Sequence, residues 1–453
     1  MTTLVEHIAD WVADLEYEDL PPAVATKARH VLLDTLGCAL GALDAKPVRL
    51  ARRVAREQGG NPQATPVGSS WKTSSEQAAF IDGLALRYLD LNDYTAAGSH
   101  PSINVAPALA AAEARGLGGK ELLLGLTLGY ELQLRLREAT ERGTQKGWDH
   151  STGVHYSSAA VAAKLFGLPP PGIAHALAIA GAHASTLAEV RKGRLSMWKA
   201  AAEAMAARNG TFAAILARAG FTGPLTILEG GSGYGAVVTG ALDAEVLRRK
   251  PQDYAILKSC VKAWPCVFVA QAPIAAALAI RSREKIDPAE IERIAVYLGK
   301  FAYEQQKSFL PAGLATRETA DHSVPYCVAR ALLDGEVRVD HFDEKGFTDP
   351  RALALFDRVS LELAPELPDR MGTRVEVSLR NGRRFAEAVP CPPGHTDNPM
   401  SEADLLKKFF GLAEAVLGKE RAEKAADAVL HVEKLSNLSG LLENLRSAAD
   451  ENG

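Results

Sequence analysis

The stretch "RVEVSLRNGRRFAEAV", residues 374–389, decides the fold. Apolar and polar residues alternate on both sides of Asn381-Gly382, the two-residue period of a half-buried strand. An Asn-Gly pair between two such runs marks a β-hairpin. Two more short strands precede it, "IERIAVYLG" (291–299) and "RVSLELA" (358–364). "DHSVPYCVARALLDG" (321–335) supplies a helix between them.

Outward from this region the chain reads as helix on both sides. "LVEHIADWVADL" (4–15) repeats its apolar residues every three and four positions, and the chain restarts at "AVATKARHVLLDTLGCALGAL" (23–43) after Pro21-Pro22. "INVAPALAAAEARG" and "KELLLGLTLGYELQLRLREAT" are separated by Gly116, Gly118 and Gly119, which suits a turn between helices. "HYSSAAVAAKLFGLPPP" and "GIAHALAIAGAHASTL" carry small residues on several faces, so neighbouring backbones can approach closely. "WKAAAEAMAARNGTFAAILARAGF" (198–221) is a further long helix, and helix resumes from about Ser401. The expected fold is mainly α. A large all-helical domain (1–264 plus 396–453) carries an inserted smaller α+β lid domain (265–395). A cleft between two such domains is a usual place for a small-molecule site.

At 453 residues the chain is too long for one compact unit. Its 47% hydrophobic content leans on Ala and Leu, which favours close-packed helices. A net charge of −4 without any long basic run argues against nucleic acid as a partner. No apolar span reaches membrane length, and the acidic N-terminus is unlike a signal peptide. Five scattered cysteines, none spaced CxxC, read as reduced thiols in a cytoplasmic protein.

Candidate chemistry falls in several clusters. "RYLDLNDYTAAGSHPS" (87–102) brings Asp90, Asp93 and His100 together. They present an acid and an imidazole to a substrate, or else cap a turn on the surface. "GWDHSTGVHYSS" (147–158) offers His150 and His155, five apart and so on different helix faces. HExxH is absent and no metal is expected. His155 beside Gly153 opens a helix, where backbone N–H groups suit a carboxylate; the alternative is a capping or packing histidine.

"RKGRLSMWK" (191–199) places Arg191 and Lys199 around Leu195, Met197 and Trp198, three bulky residues that call for burial. The plain alternative is a solvated basic turn. "KAWPC" adds Lys262 at the domain boundary. "TGPLTILEGGSGYG" (222–235) fits no phosphate-binding loop, so no nucleotide cofactor is expected. "TRETADHSVPY" (316–326) packs Arg317, Glu318, Asp321, His322 and Tyr326 into eleven residues. This set of cations, imidazoles and acids suits proton transfer on a small polyanion.

The blocks "VLLDTLGCALGA", "RYLDLND…HPS", "LGYELQLRL", "GWDHSTGVHYSSAAVAAKLFGL", "GRLSMWKAAAEAMAARNG", "TRETADHSVPY" and "PPGHTDNPM" occur in an order that resembles the MmgE/PrpD family. "SMWK" and "TRETADHSVPY" look closest to its dehydratase branch. The resemblance implies a cofactor-independent homodimer with no nucleic-acid or membrane partner. It implies a hydro-lyase acting on a small di- or tricarboxylate, with 2-methylcitrate as the leading substrate. Epimerisation, decarboxylation, or carboxylate binding without turnover are the alternatives.

Carried over by position, the family's acid falls on Asp90, its histidines on His100 and His155, its lysine on Lys199 and its tyrosine on Tyr326. Lys199, Lys262, Arg191 and His100 are then expected to hold carboxylates, with His322 and Asp93 also binding substrate. His155 or Tyr326 is expected to move the proton, with Asp90 orienting a histidine. Three departures, Tyr94, Ile103 and Val269, are expected to reshape the pocket.

Overall fold

The computed structural model describes residues 2–96, 98–140, 147–309 and 313–448. The architecture is mainly α with one small sheet. Helices α1 (Leu4–Asp14), α2 (Pro22–Gly41), α3 (Lys46–Gln58), α4 (Ser75–Tyr88) and α5 (Val105–Arg115) come first. They are followed by α6 (Gly119–Ala139), α7 (Val154–Leu165), α8 (Pro170–Ala182) and α9 (Trp198–Arg218). Helix α1 starts at Thr3, whose backbone N–H donates to Glu6 Oε2 at 2.7 Å, a capping-box contact. Gly116 ends α5 in the left-handed conformation that a residue without Cβ adopts freely. Helix resumes at Glu402–Leu417, where Asp404 N–H donates to the Ser401 hydroxyl at 3.2 Å.

Helices α4, α7 and α8 all pack on α9. The small residues of these helices are what allow it. A Cβ added to Gly210 of α9 would lie 2.5 Å from the His155 carbonyl oxygen in α7. One added to Gly83 of α4 would lie 3.1 Å from Ala204 Cα in α9. This core draws its buried residues from positions 4–261 and again from 405–445.

A second core is formed by Tyr94 and residues between 260 and 379. It covers a four-stranded sheet of order β2-β1-β3-β4, with β1 Ile291–Leu298, β2 Val359–Leu363, β3 Thr373–Leu379 and β4 Arg384–Val389. Strands β1 and β2 are parallel; β1–β3 and β3–β4 are antiparallel. Thr373, Val375, Val377 and Leu379 face the core in strict alternation, as the sequence period requires. The β3–β4 connection is four residues, Arg380 to Arg383, and Gly382 takes φ +85°. Helices Gln271–Glu284 and Val324–Asp334 pack on the sheet. Among the described residues, no helix is long and apolar enough to cross a membrane. All five cysteines are free.

Candidate active site

A cavity of about 540 Å³ lies where the two cores meet. Helix α4 ends at Tyr88, and two residues later Asp90 adopts φ +49°. A non-glycine residue in that left-handed region is uncommon and marks a site where neighbours hold it. The holders are two lysines. Lys262 Nζ donates to the Asp90 carbonyl oxygen at 2.8 Å and stands 2.9 Å from its carboxylate. Lys199 Nζ lies 3.5 Å from the other carboxylate oxygen. Burial works against the Asp90 charge, but Lys199, Lys262, His322 and Arg87 together hold its carboxyl well below the usual range. The Lys199 ammonium is pushed down by burial, against the pull of Asp90. Lys408, from helix Glu402–Leu417, ties the surrounding loops. Its Nζ donates to the carbonyls of Leu91 and Lys262, each at 2.8 Å, and pairs with Asp34 at 2.5 Å.

Beneath this lies a buried ion lattice. Arg87 donates to Glu203, to Asp90 at 3.3 Å and to Asn92 Oδ1 at 2.6 Å. Glu203 follows Lys199 by four residues on α9, so both project from one helix face. Arg191 donates to Asp149 at 2.6 and 3.2 Å.

Each of the three cavity histidines is oriented by a different acceptor. His100 Nδ1 donates to the Asp93 carbonyl at 2.6 Å, which leaves Nε2 as an acceptor. Burial and then Arg87 hold its pKa well below the ordinary histidine value, so the ring is neutral. His150 Nε2 donates to Glu203 at 2.7 Å, and its Nδ1 lies 3.5 Å from Asp149. The two rings stand 5.8 Å apart. His322 Nδ1 donates to Asp321 at 2.5 Å, and its Nε2 faces Asp90 at 3.7 Å. Asp90 therefore grips two lysines and also faces His322, while Asp321, Glu203 and the Asp93 carbonyl make the shorter contacts that orient the three rings.

Of the residues singled out in the sequence, Asp90, His100, Lys199, Arg191, Lys262 and His322 line this cavity. Three do not. Tyr326 lies in the second core, its hydroxyl donating to the His341 carbonyl at 2.5 Å and its ring edge-on to Phe342. His155 is buried on α7 against α9 with Nδ1 unpartnered, and burial takes its pKa down to about 4. Asp93 sits one layer behind, accepting from Tyr130 at 2.5 Å, and burial raises its carboxyl to about 6.

The three departures do not wall the cavity either. Ile103 packs towards Gly83, Tyr94 stacks on Phe268 at 5.7 Å, and Val269 belongs to the second core. Leu195 is buried as its bulk suggests, whereas Met197 and Trp198 are 41% and 48% exposed. Arg317 pairs with Asp343 at 3.1 Å.

The reading from sequence offered His150 without a role for it and passed over Glu203, Arg87, Asp149 and Arg137 as site residues. Glu203 had one usable signal, an acid within a run of alanines one turn beyond Lys199. His100, His150 and Glu203 offer donor atoms within 4.8 Å of one another, as do Asp90, Asp321 and His322. Glu203 is already held by Arg87 with Arg191 at 3.7 Å, and Asp90 by two lysines, so a dication there would meet fixed positive charge.

Fold and site thus define a mainly helical protein with a cation-lined cavity between two cores. Residues 6–247 match the MmgE/PrpD N-terminal domain and residues 264–434 the MmgE/PrpD C-terminal domain; the chain belongs to the MmgE/PrpD family. It is 27% identical over 478 residues to cis-aconitate decarboxylase of Mus musculus, covering 100% of this chain and 95% of that one. The Homo sapiens cis-aconitate decarboxylase is likewise 27% identical, over 97% of this chain and 94% of that protein. The 2-methylcitrate dehydratase of Salmonella typhimurium is 27% identical, over 94% of this chain and 92% of that protein.

Proposed function

We propose that the protein is a cofactor-independent lyase that dehydrates a small hydroxy tricarboxylate, with 2-methylcitrate the first substrate to test. One observation carries the reading: six basic side chains against three acidic ones line a cavity that also holds a neutral imidazole. Such a surplus favours a polyanion, and the family relatives named above act on carboxylic acids. Arg191, Lys199 and Lys262 hold carboxylates. His100 Nε2 removes the proton alpha to a carboxylate, a hydrogen-bond acceptor with no proton of its own. His150, backed by Glu203, gives a proton to the leaving hydroxyl, which departs as water while the carbon–carbon double bond forms. His322, backed by Asp321, assists from the opposite wall. Residues 265–395 act as the lid: Phe301, Phe309, His322 and Arg370 reach the cavity from that segment.

A second reading has its own support. Trp148, Phe268, Phe301 and Phe309 form an apolar wall. A carboxylate pressed against it loses hydration, which favours loss of carbon dioxide. Incubation of the purified protein with 2-methylcitrate and with cis-aconitate, followed by NMR, separates the two. The expected result is an unsaturated tricarboxylate from the first substrate, lost in His100→Ala. Release of carbon dioxide from the second would favour decarboxylation. Consumption of neither, with no binding of either acid, would end the lyase reading.

A further inference from the structure

Most cations of the cavity already have a partner. Arg191 has Asp149, Lys199 and Lys262 share Asp90, and Arg370 lies over the Phe301 ring at 3.6 Å. Lys192 has no acid among the described residues, but it is exposed, where charge is screened. Arg137 differs from all of these. It sits in the last turn of α6. Among the described residues no carboxylate pairs with it, and its Nε is buried without a hydrogen-bond partner. A helix C-terminus favours a cation, which accounts for the residue type. It does not account for the position.

Arg137 lines the 540 Å³ cavity and also a neighbouring cavity of about 530 Å³, whose walls include Arg135, Arg249 and Lys258. Arg137 is thus a wall residue shared by the two cavities. A planar fork of donors in such a place matches a carboxylate in geometry and charge.

We propose that Arg137 grips the substrate carboxylate farthest from the reacting carbon and so selects tricarboxylates over dicarboxylates. The inference rests on the carboxylate reading above and extends it to one residue. A dicarboxylate leaves this donor set unpaired, and a site built to bond a polar group discriminates strongly against a ligand that lacks it. The neighbouring cavity gives room for the end of the molecule that Arg137 holds.

Calorimetry with tricarballylate and succinate tests this, since neither carries a hydroxyl to eliminate. Wild type should bind tricarballylate the more tightly. In Arg137→Met that affinity should fall roughly ten- to hundredfold, with succinate affinity unchanged. Arg137→Lys, a point charge in place of a fork, should recover part of the preference, and supplies the readout if the Met variant does not fold. A variant that keeps the wild-type preference overturns the role of Arg137. Wild type that binds neither anion overturns the carboxylate reading itself, and this inference with it.

Discussion

Glu203→Gln tests the ion lattice most directly. The carboxylate is fully buried, accepts from Arg87 and His150, and has Arg191 at 3.7 Å. The amide keeps the shape and removes the charge. Breaking a buried ion pair by removing one partner costs about 3–5 kcal/mol. Arg87 retains Asp90 and Asn92, so the lower end, about 3 kcal/mol, is expected. Unfolding entropy of about 2.1 cal/mol/K per residue, over 453 residues, is about 1 kcal/mol/K. A chain melting as one unit should therefore lose about 3 °C at pH 7, and more if the unit is smaller.

The pH dependence has a fixed sign. Burial opposes the Glu203 charge, yet Arg87 and His150 hold its carboxyl well below the usual range. Its contribution is thus complete above the unfolded carboxyl value and lost as pH falls through the folded one. The gap between wild type and variant should narrow on acidification. Calorimetric melts at pH 7 and at a series of lower pH values measure it. Equal melting temperatures at pH 7 would refute the claim that this carboxylate anchors the lattice.

Other outcomes follow from single contacts. Tyr326→Phe should lose about 1 kcal/mol of stability through the His341 carbonyl and leave turnover within a few-fold; a hundredfold drop in turnover would restore the tyrosine as a catalyst. If His100 is the base, kcat/KM should stay flat as pH falls through 6.5, because its folded-state pKa lies well below that value. A rate profile breaking at 6.5 and abolished by His100→Ala would contradict its neutral environment. Gly210→Ala should destabilise by about 2 kcal/mol, because the new Cβ would meet main-chain atoms of His155 and Ala159 that cannot yield. That exceeds the ~1 kcal/mol that alanine adds as a helix former. Thermal melts check it.

Local periodicity carried most of the architecture. The alternation in β3 and the Asn381-Gly382 turn named the sheet, and Gly116 named the break between α5 and α6. The site was legible where chemistry clusters in short blocks, as at Asp90 and His100 or Arg191 and Lys199. It was illegible where side-chain direction decides. His150 and His155 are equally polar in sequence, but His150 sits on the single turn before α7 and lines the cavity, while His155 lies buried within α7 and does not. Tyr326 shares a block with His322, yet the turn at Ser323 starts a new helix and sends it into the second core. The pairing of Lys262 with Asp90 left no local trace, because the two are 172 positions apart.

Lys408 bears on how the protein comes into being. Its ammonium clasps the Leu91 and Lys262 carbonyls beside the pocket, yet it is polymerised 146 residues after Lys262. A nascent chain on the ribosome thus holds every pocket group well before it holds the clasp. The pocket is completed late in translation. A fragment ending near residue 400 would carry the full chemical complement without the tie that sets it in place.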